Sequence, residues 1–376
     1  MPAPLAYLDH AATTPLRPEA LEAMLPFLTE HFGNPSGSHT VSRTARRAVD
    51  EARDTVAGGL GCEPGEVVFT GGGTEADNLA ITGVVARRGG TAVCSAVEHH
   101  AVLHTTADLE GRIVAVDGSG VIDLDALAAA LDPRVAVVSV MLANNEVGTV
   151  QPLSEVVEVV RRHAPGAVVH TDAVQAFPWL DVATLAAGAD LVAVSAHKFG
   201  GPKGVGALAV RSGVQLHPIL HGGGQERDRR SGTHNVAGIV GMAAAMRATV
   251  EGRDATVARV RTLRDRLADG LLSALPGTVE TGTRGGRVAG SCHLRFPGVE
   301  SEALLVLLDD AGVCASAGSA CASGAMEPSH VLAAMGVPRA EALGSLRLSL
   351  GVTTTADEVD VALKTVPEAV ARLRGE

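Results

Sequence analysis

The sequence predicts an α/β fold: a mainly parallel central sheet with helices on both faces, plus a smaller α+β domain. Three observations predict it. Residues 18 to about 250 alternate short β-branched runs with helical patterns. Several of those runs are apolar throughout, as strands buried on both faces are. Beyond about 250 the alternation stops and a different order of elements follows.

The strand runs are EVVFT (66–70), TAVCS (91–95), RIVAVD (112–117), VAVVSVML (135–142), AVVHTD (167–172), LVAVSAH (191–197) and VGALAVR (205–211). The segments between them read as helices. LSEVVEVVRRHAPG has apolar residues at helical spacing, Glu early, Arg late and Pro-Gly as a stop. After 250, ATVARVRTLRDRLADGLLSAL reads as one long helix. SCHLRF, the helix SEALLVLLDDAG, a small-residue loop, SLRLSLG and a last helix TADEVDVALKTVPEAVARL follow. The joint near 250–260 has no Pro/Gly linker, so a continuous helix is expected across it. The expected division is 17–255 for a large domain, with 1–16 and 256–376 forming the small one.

Composition narrows the function classes. The 376 residues are 46% hydrophobic and 19% charged, which allows a large core and argues against general disorder. The net charge of −11 does not suit a direct binder of nucleic-acid backbones, and 2% aromatic residues are too few for a stacking platform. Mean hydropathy is +0.22, yet no apolar run approaches the ~18 residues of a membrane span. Five scattered cysteines do not make a disulfide framework. The segment MPAPLAYLDH lacks the basic-then-apolar order of a leader. A cytoplasmic protein without a membrane partner is expected.

In open α/β sheets ligands bind beyond the carboxyl ends of strands, and the chemistry-bearing residues follow the strand runs. EVVFT runs into GGGTEADNLA, where Gly71 to Gly73 open a helix near Thr74. Its exposed amides and dipole favour an anion. An ordinary glycine-capped turn is the plainer alternative, and the pattern is neither GxGxxG nor Walker A. In VSAHKFGGPKG, Lys198 follows a buried strand and could form a Schiff base, with Lys203 as the decoy. In VVHTDAVQ, Asp172 ends a strand, where it could pair with a protonated ring nitrogen or cap a helix. In SAVEHHAVL, His99 or His100 could act as acid, base or ring stacker, or simply cap a helix. The spacing is not that of a zinc site, and no metal is expected. Cys321 lies in VCASAGSACASG, among Ala, Ser and Gly, which suits an accessible nucleophile, whereas Cys314 reads as buried. Arg347 is a lone cation in an apolar run, suited to a substrate carboxylate or to an acid of the chain itself.

Taken in order, these motifs resemble the cysteine desulfurase family, within the class V aminotransferase-like enzymes of pyridoxal 5′-phosphate (PLP), fold type I. YLDHAATTP (7–15), FGNPS (32–36), NNEVG (144–148), HGGGQERDRRSGT (221–233), GSACAS and LRLSLG extend the resemblance over nearly the whole chain. It implies that Lys198 holds PLP as a Schiff base, Asp172 pairs with the pyridine nitrogen and Gln175 reaches the ring hydroxyl. His99 would stack on the ring and shuttle protons. Gly73, Thr74, Ser195 and His197 would bind the phosphate, with Thr233 reaching the phosphate of the other subunit of a homodimer. Arg347, Asn34 and Asn145 would hold the carboxylate of L-cysteine, and Cys321 would take the sulfur as a persulfide for an acceptor protein. That acceptor could be an iron–sulfur scaffold or a tRNA-thiolation enzyme. GGGTE, SAHK and MLANNE depart from the commoner SGATE, SGHK and MHVNNE but keep Thr74, His197 and Lys198. A selenocysteine lyase or aminotransferase of the same class, or a scaffold without chemistry, are the competing readings.

Overall fold

The computed structural model describes residues 5–317 and 329–375. Its strands are β1 (Ala6–Tyr7), β2 (Val67–Thr70), β3 (Thr91–Ser95), β4 (Arg112–Val114), β5 (Val135–Ser139) and β6 (Val168–Asp172). β7 (Leu191–Ser195), β8 (Gly206–Val210), β9 (Val279–Glu280), β10 (Ser291–Arg295), β11 (Val313–Cys314) and β12 (Ser345–Ser349) complete the set. The seven predicted runs become β2 to β8, and these form one seven-stranded sheet in the order β2-β8-β7-β6-β5-β3-β4. The sheet is parallel except at β8, which runs antiparallel to β7 and β2. Only a short turn joins β7 to β8, too short for a parallel crossover.

Alternate residues of each strand feed different cores, as a pleat requires. Val67, Phe69, Val169, Val192 and Val194 join one apolar cluster. Val68, Val168, Leu191, Ala193 and Leu208 join another, with Leu79, Ile81 and Val84 of the helix Gly73–Arg88. A further cluster gathers Leu267, Leu271, Leu294, Leu346, Leu348 and Val359, together with Ala6 and Leu8 from the start of the chain. β1 pairs in parallel with β11, and β10 lies between β12 and β9 in an antiparallel sheet.

The helix across 250–260 is continuous from Val236 to Ala274. Met242 and Met246 at its start enter the first cluster, whereas Val260, Leu267 and Leu271 enter the C-terminal one. Some predicted strands end early. RIVAVD is a strand only to Val114, and VAVVSVML only to Ser139. Just beyond β5, the Met141 amide is taken by the Glu98 carboxylate at 2.7 Å instead of a neighbouring strand. Cys314 is in a strand, as expected, but β11 has just two residues and leaves it half-buried.

Candidate active site

β6 and β7 are neighbours in parallel register, with Asp172 opposite Ala193, so both chains open at the same end of the sheet. β7 ends at Ser195 and passes into a 3-10 turn, Ala196–Lys198. This turn brings the Lys198 ammonium to the carbonyls of Ala11 and Ala12, at 2.5 and 2.9 Å. Those carbonyls belong to a segment tied down from several sides. Gln175 Nε2 donates to the Ala11 carbonyl at 2.7 Å, and Thr14 Oγ1 donates to the His197 carbonyl at 2.8 Å. Tyr7 Oη donates to the Thr13 carbonyl at 2.8 Å, and Ser349 Oγ accepts from the Ala11 amide at 2.9 Å.

A cavity of about 350 Å³ opens over Lys198. Asp172, Gln175, His99 and Asn145 share its wall with Lys198, and Gly73, Thr74, Ser195, His197 and Arg347 also line it. One carboxylate oxygen of Asp172 accepts from the Val174 amide at 2.8 Å. Burial pushes the Asp172 carboxyl up to about 6, against the pull of the Val174 amide and of Lys198. His99 caps the helix His100–Asp108, with Nδ1 accepting from the Ala101 amide at 3.1 Å. Burial first, then Lys198 and the neighbouring imidazoles, push His99 down to about 4. The ring is therefore neutral near pH 7, with its proton on Nε2, because Nδ1 is an acceptor. The helix-capping reading holds for His99, whereas Asp172 caps a turn rather than a helix.

The glycines shape the anion end. Gly72 has φ +152°, and a Cβ on Gly73 would stand 2.8 Å from Val174 and 3.4 Å from Ser195. The helix Gly73–Arg88 runs for 16 residues, and the amides of its first turn have no intrahelical acceptor. Burial, Lys198 and Lys203 push His197 down to about 4, and its Nδ1 lies 3.2 Å from Thr13 Oγ1. Glu75 lies beside this end, but its charge is committed to Arg230 at 2.6 Å and to the Gly71 amide at 2.8 Å.

Arg347, on β12, is 3% exposed. Its Nη2 meets Asp9 Oδ1 at 2.8 Å and its Nη1 donates to the Asn145 carbonyl at 3.0 Å. The alternative of an internal acid partner is thus realised in Asp9, while the guanidinium also faces the cavity.

The aminotransferase class-V family model matches residues 6–362. The IscS-like cysteine desulfurase of Mycobacterium tuberculosis is 48% identical over 387 aligned positions, covering 98% of this chain and 97% of that protein. The cysteine desulfurase IscS of Methanosarcina thermophila is 45% identical, covering 98% and 92%. The chain belongs to the cysteine desulfurase family. A solved NifS-like protein superposes with a TM-score of 0.92 at 36% identity, covering 98% of this chain and all of that one.

Desulfurases of this family depend on PLP, and the cavity suits that group. It offers an acid at the end of β6 and an amine in the turn that follows the adjacent β7, a neutral imidazole, and a glycine-lined helix start where an added Cβ would intrude. Two family positions do not line it. Asn34 is exposed, with its Oδ1 accepting from the Ser36 amide at 3.0 Å. Thr233 is exposed on the loop 221–233. Cys321 lies outside the described residues. Other wall residues were not singled out in the sequence: Asp77, Glu146 and His330, and the carbonyls of Ala11 and Ala12. Glu146 is 2% exposed and accepts from Ser329 Oγ, while His330 Nε2 lies 2.9 Å from the Glu98 carbonyl. Backbone carbonyls leave no mark in a sequence, but an acid inside the NNEVG motif was a usable signal. No group of three or more His, Cys, Asp or Glu among the described residues could hold a metal ion.

Proposed function

We propose the following roles in converting L-cysteine to L-alanine and a persulfide on Cys321. The observation that carries them is one cavity shared by Lys198, Asp172 and His99. PLP, when bound, supplies an electron sink conjugated to the substrate α-carbon. Lys198 Nζ holds the cofactor and then takes the α-proton of cysteine. Asp172 keeps a negative charge beside the ring nitrogen, and Gln175 reaches the ring hydroxyl. Gly73, Thr74, Ser195 and His197 receive the phosphate. Arg347 orients the substrate carboxylate with Asn145, one edge of its fork being steadied by Asp9, while Asn34 stays outside the cavity of its own chain. His99, neutral and with Nε2–H, returns and removes protons over the ring. The Cys321 thiolate attacks the substrate sulfur, so that an S–S bond forms and the Cβ–S bond breaks. The released electron pair is protonated at Cβ and alanine leaves.

Incubation with cysteine, followed by mass analysis of Cys321 and an assay of alanine, tests the central step. One added sulfur on Cys321 is expected, and Cys321→Ala should lower sulfur release by at least about 10²-fold, in keeping with loss of a covalent nucleophile. Alanine formed at the full rate with no added mass on that residue would overturn it. Arg347→Lys should raise KM for cysteine by roughly tenfold or more, since an ammonium cannot make the forked contact. Steady-state kinetics with an unchanged KM would remove Arg347 from the substrate site.

We further propose a homodimer. Leu21, Leu25 and Leu28 lie on one face of the helix Pro18–Thr29, and with Phe32 they are 46%, 47%, 61% and 80% exposed. An exposed apolar strip of this kind suits burial against a second copy, with Thr233 crossing to its phosphate. The division into 17–255, with 1–16 and 256–376 as the small domain, is supported by the separate apolar clusters. A cytoplasmic site of action and an acceptor from iron–sulfur assembly or tRNA thiolation complete the reading. Among the described residues no helix is long and apolar enough to cross a membrane.

A further inference from the structure

Behind the cavity lies a polar group that these roles leave unused. Asp77 is on the helix Gly73–Arg88, one turn after Gly73, and is 1% exposed while lining the cavity. Its Oδ1 has no hydrogen-bond partner among the described residues. That atom lies 3.6 Å from His170 Nε2, which also has none. His170 is fully buried on β6, and its Nδ1 meets Ser139 Oγ at 2.8 Å. It precedes Asp172 by two residues, so both side chains leave the strand on the same face. Ser139, His170 and Asp77 make the chemical series of a hydrolase triad. Ser139 is 1% exposed, however, so no carbonyl substrate reaches it.

The charges around Asp77 decide what it can be. Asp172 and Glu98 face it, His170 is its nearest nitrogen, and Lys198, His99 and His197 share the cavity wall. A carboxylate sealed beside two other acids, with no donor for one oxygen, is strongly disfavoured as an anion. As a neutral carboxyl it becomes a donor, and His170 Nε2 is the facing acceptor once Nδ1–H is given to Ser139. We propose that Asp77 is a positioning residue for Asp172: it stands as a neutral carboxyl facing His170 Nε2 at 3.6 Å and leaves the negative charge of this site on Asp172 for the ring nitrogen. Burial first, and then the charges of Asp172 and Glu98, push the Asp77 carboxyl well above the usual range, in the same sense.

The proposal rests on the reading of Asp172 as the ring partner, and the test separates the two. Asp77→Asn, neutral and of the same shape, should leave the PLP dissociation constant of the apoenzyme within threefold of the parent. Asp77→Leu should raise it at least tenfold. In an Asp172→Asn background the leucine change should add less than threefold. The infrared difference spectrum of holoenzyme, parent minus Asp77→Asn, should contain the C=O stretch of a protonated carboxyl at neutral pH. Asparagine as damaging as leucine, leucine without effect, or no protonated-carboxyl band would each overturn the proposal. Should Asp77→Leu not fold, the asparagine variant and the infrared band still decide it. An unaltered PLP affinity in Asp172→Asn alone would instead remove the reading beneath.

Discussion

Lys198→Ala is expected to lower alanine formation from cysteine by at least about 10³-fold, because one nitrogen is asked both to hold the cofactor and to move the α-proton. The loss should fall on kcat, and the protein should release PLP on gel filtration. The Lys198 ammonium also ties the turn after β7 to the carbonyls of Ala11 and Ala12. The variant should nonetheless fold, because Thr14, Gln175 and Ser349 hold the same segment independently. Lys203, exposed in the same glycine-rich loop, is the control, and Lys203→Ala should stay within about twofold of the parent. Turnover by Lys198→Ala within tenfold of the parent would remove this lysine from the chemistry.

Glu226→Ala should cost about 3–5 kcal/mol of stability, the penalty for leaving a buried partner charge alone. Glu226 is 6% exposed and Arg53 is 8% exposed. Arg53 reaches Glu226 with both terminal nitrogens, at 2.8 and 2.6 Å, while its guanidinium lies 4.6 Å from the centre of the Phe69 ring. The Phe69 amide at 3.0 Å and His234 Nε2 at 2.6 Å complete the shell of the carboxylate. Glu226 holds φ +50°, a left-handed conformation that only firm anchoring sustains in a non-glycine residue. Burial raises its carboxyl, but the hydrogen bonds from Arg53 and His234 outweigh this and bring it down to about 2.

A depressed carboxyl of this kind contributes stability above its unfolded value near 4.5, and the contribution is lost as pH falls toward 2. The gap between parent and variant in urea midpoint should therefore be large at pH 7 and shrink at pH 3. A gap independent of pH would mean that packing, not charge, is at issue. The same pair anchors the loop 221–233 through Glu226.

Much of this architecture could be read from residue order. All seven β-branched runs became strands of one sheet, and several of them, β5 and β7 included, are buried at every residue. The long helix was visible from the absence of a Pro/Gly-rich linker between 250 and 260, where Gly252 stands alone. Lys198 and Asp172 could be singled out by position after strand runs. That they share a cavity depends on β6 and β7 being neighbours, which no local pattern states. Asp9 lies 338 positions from Arg347, and pairing over that distance carries no local signature. Asp77 was hidden inside TEADN, where a helical acid ordinarily reads as solvated. Asn34 and Thr233 show the other limit: a motif gives residue types, whereas one chain alone does not bring them to its own cavity.

The segment from Leu5 to Arg17 also bears on biogenesis. Its first half finds partners late in the chain, in Gly312, Cys314, Arg347, Ser349 and Glu358 among others, whereas its second half also meets His197, Phe199 and Gly200. A ribosome adding about 5–20 residues per second needs on the order of ten to thirty seconds to travel from one set of partners to the last. During that interval the nascent chain holds Lys198 without the finished roof that Ala11 and Ala12 provide. A chain cut short before Ser349 and Glu358 would lack partners that hold this segment, and with it the Ala11 and Ala12 carbonyls that meet Lys198.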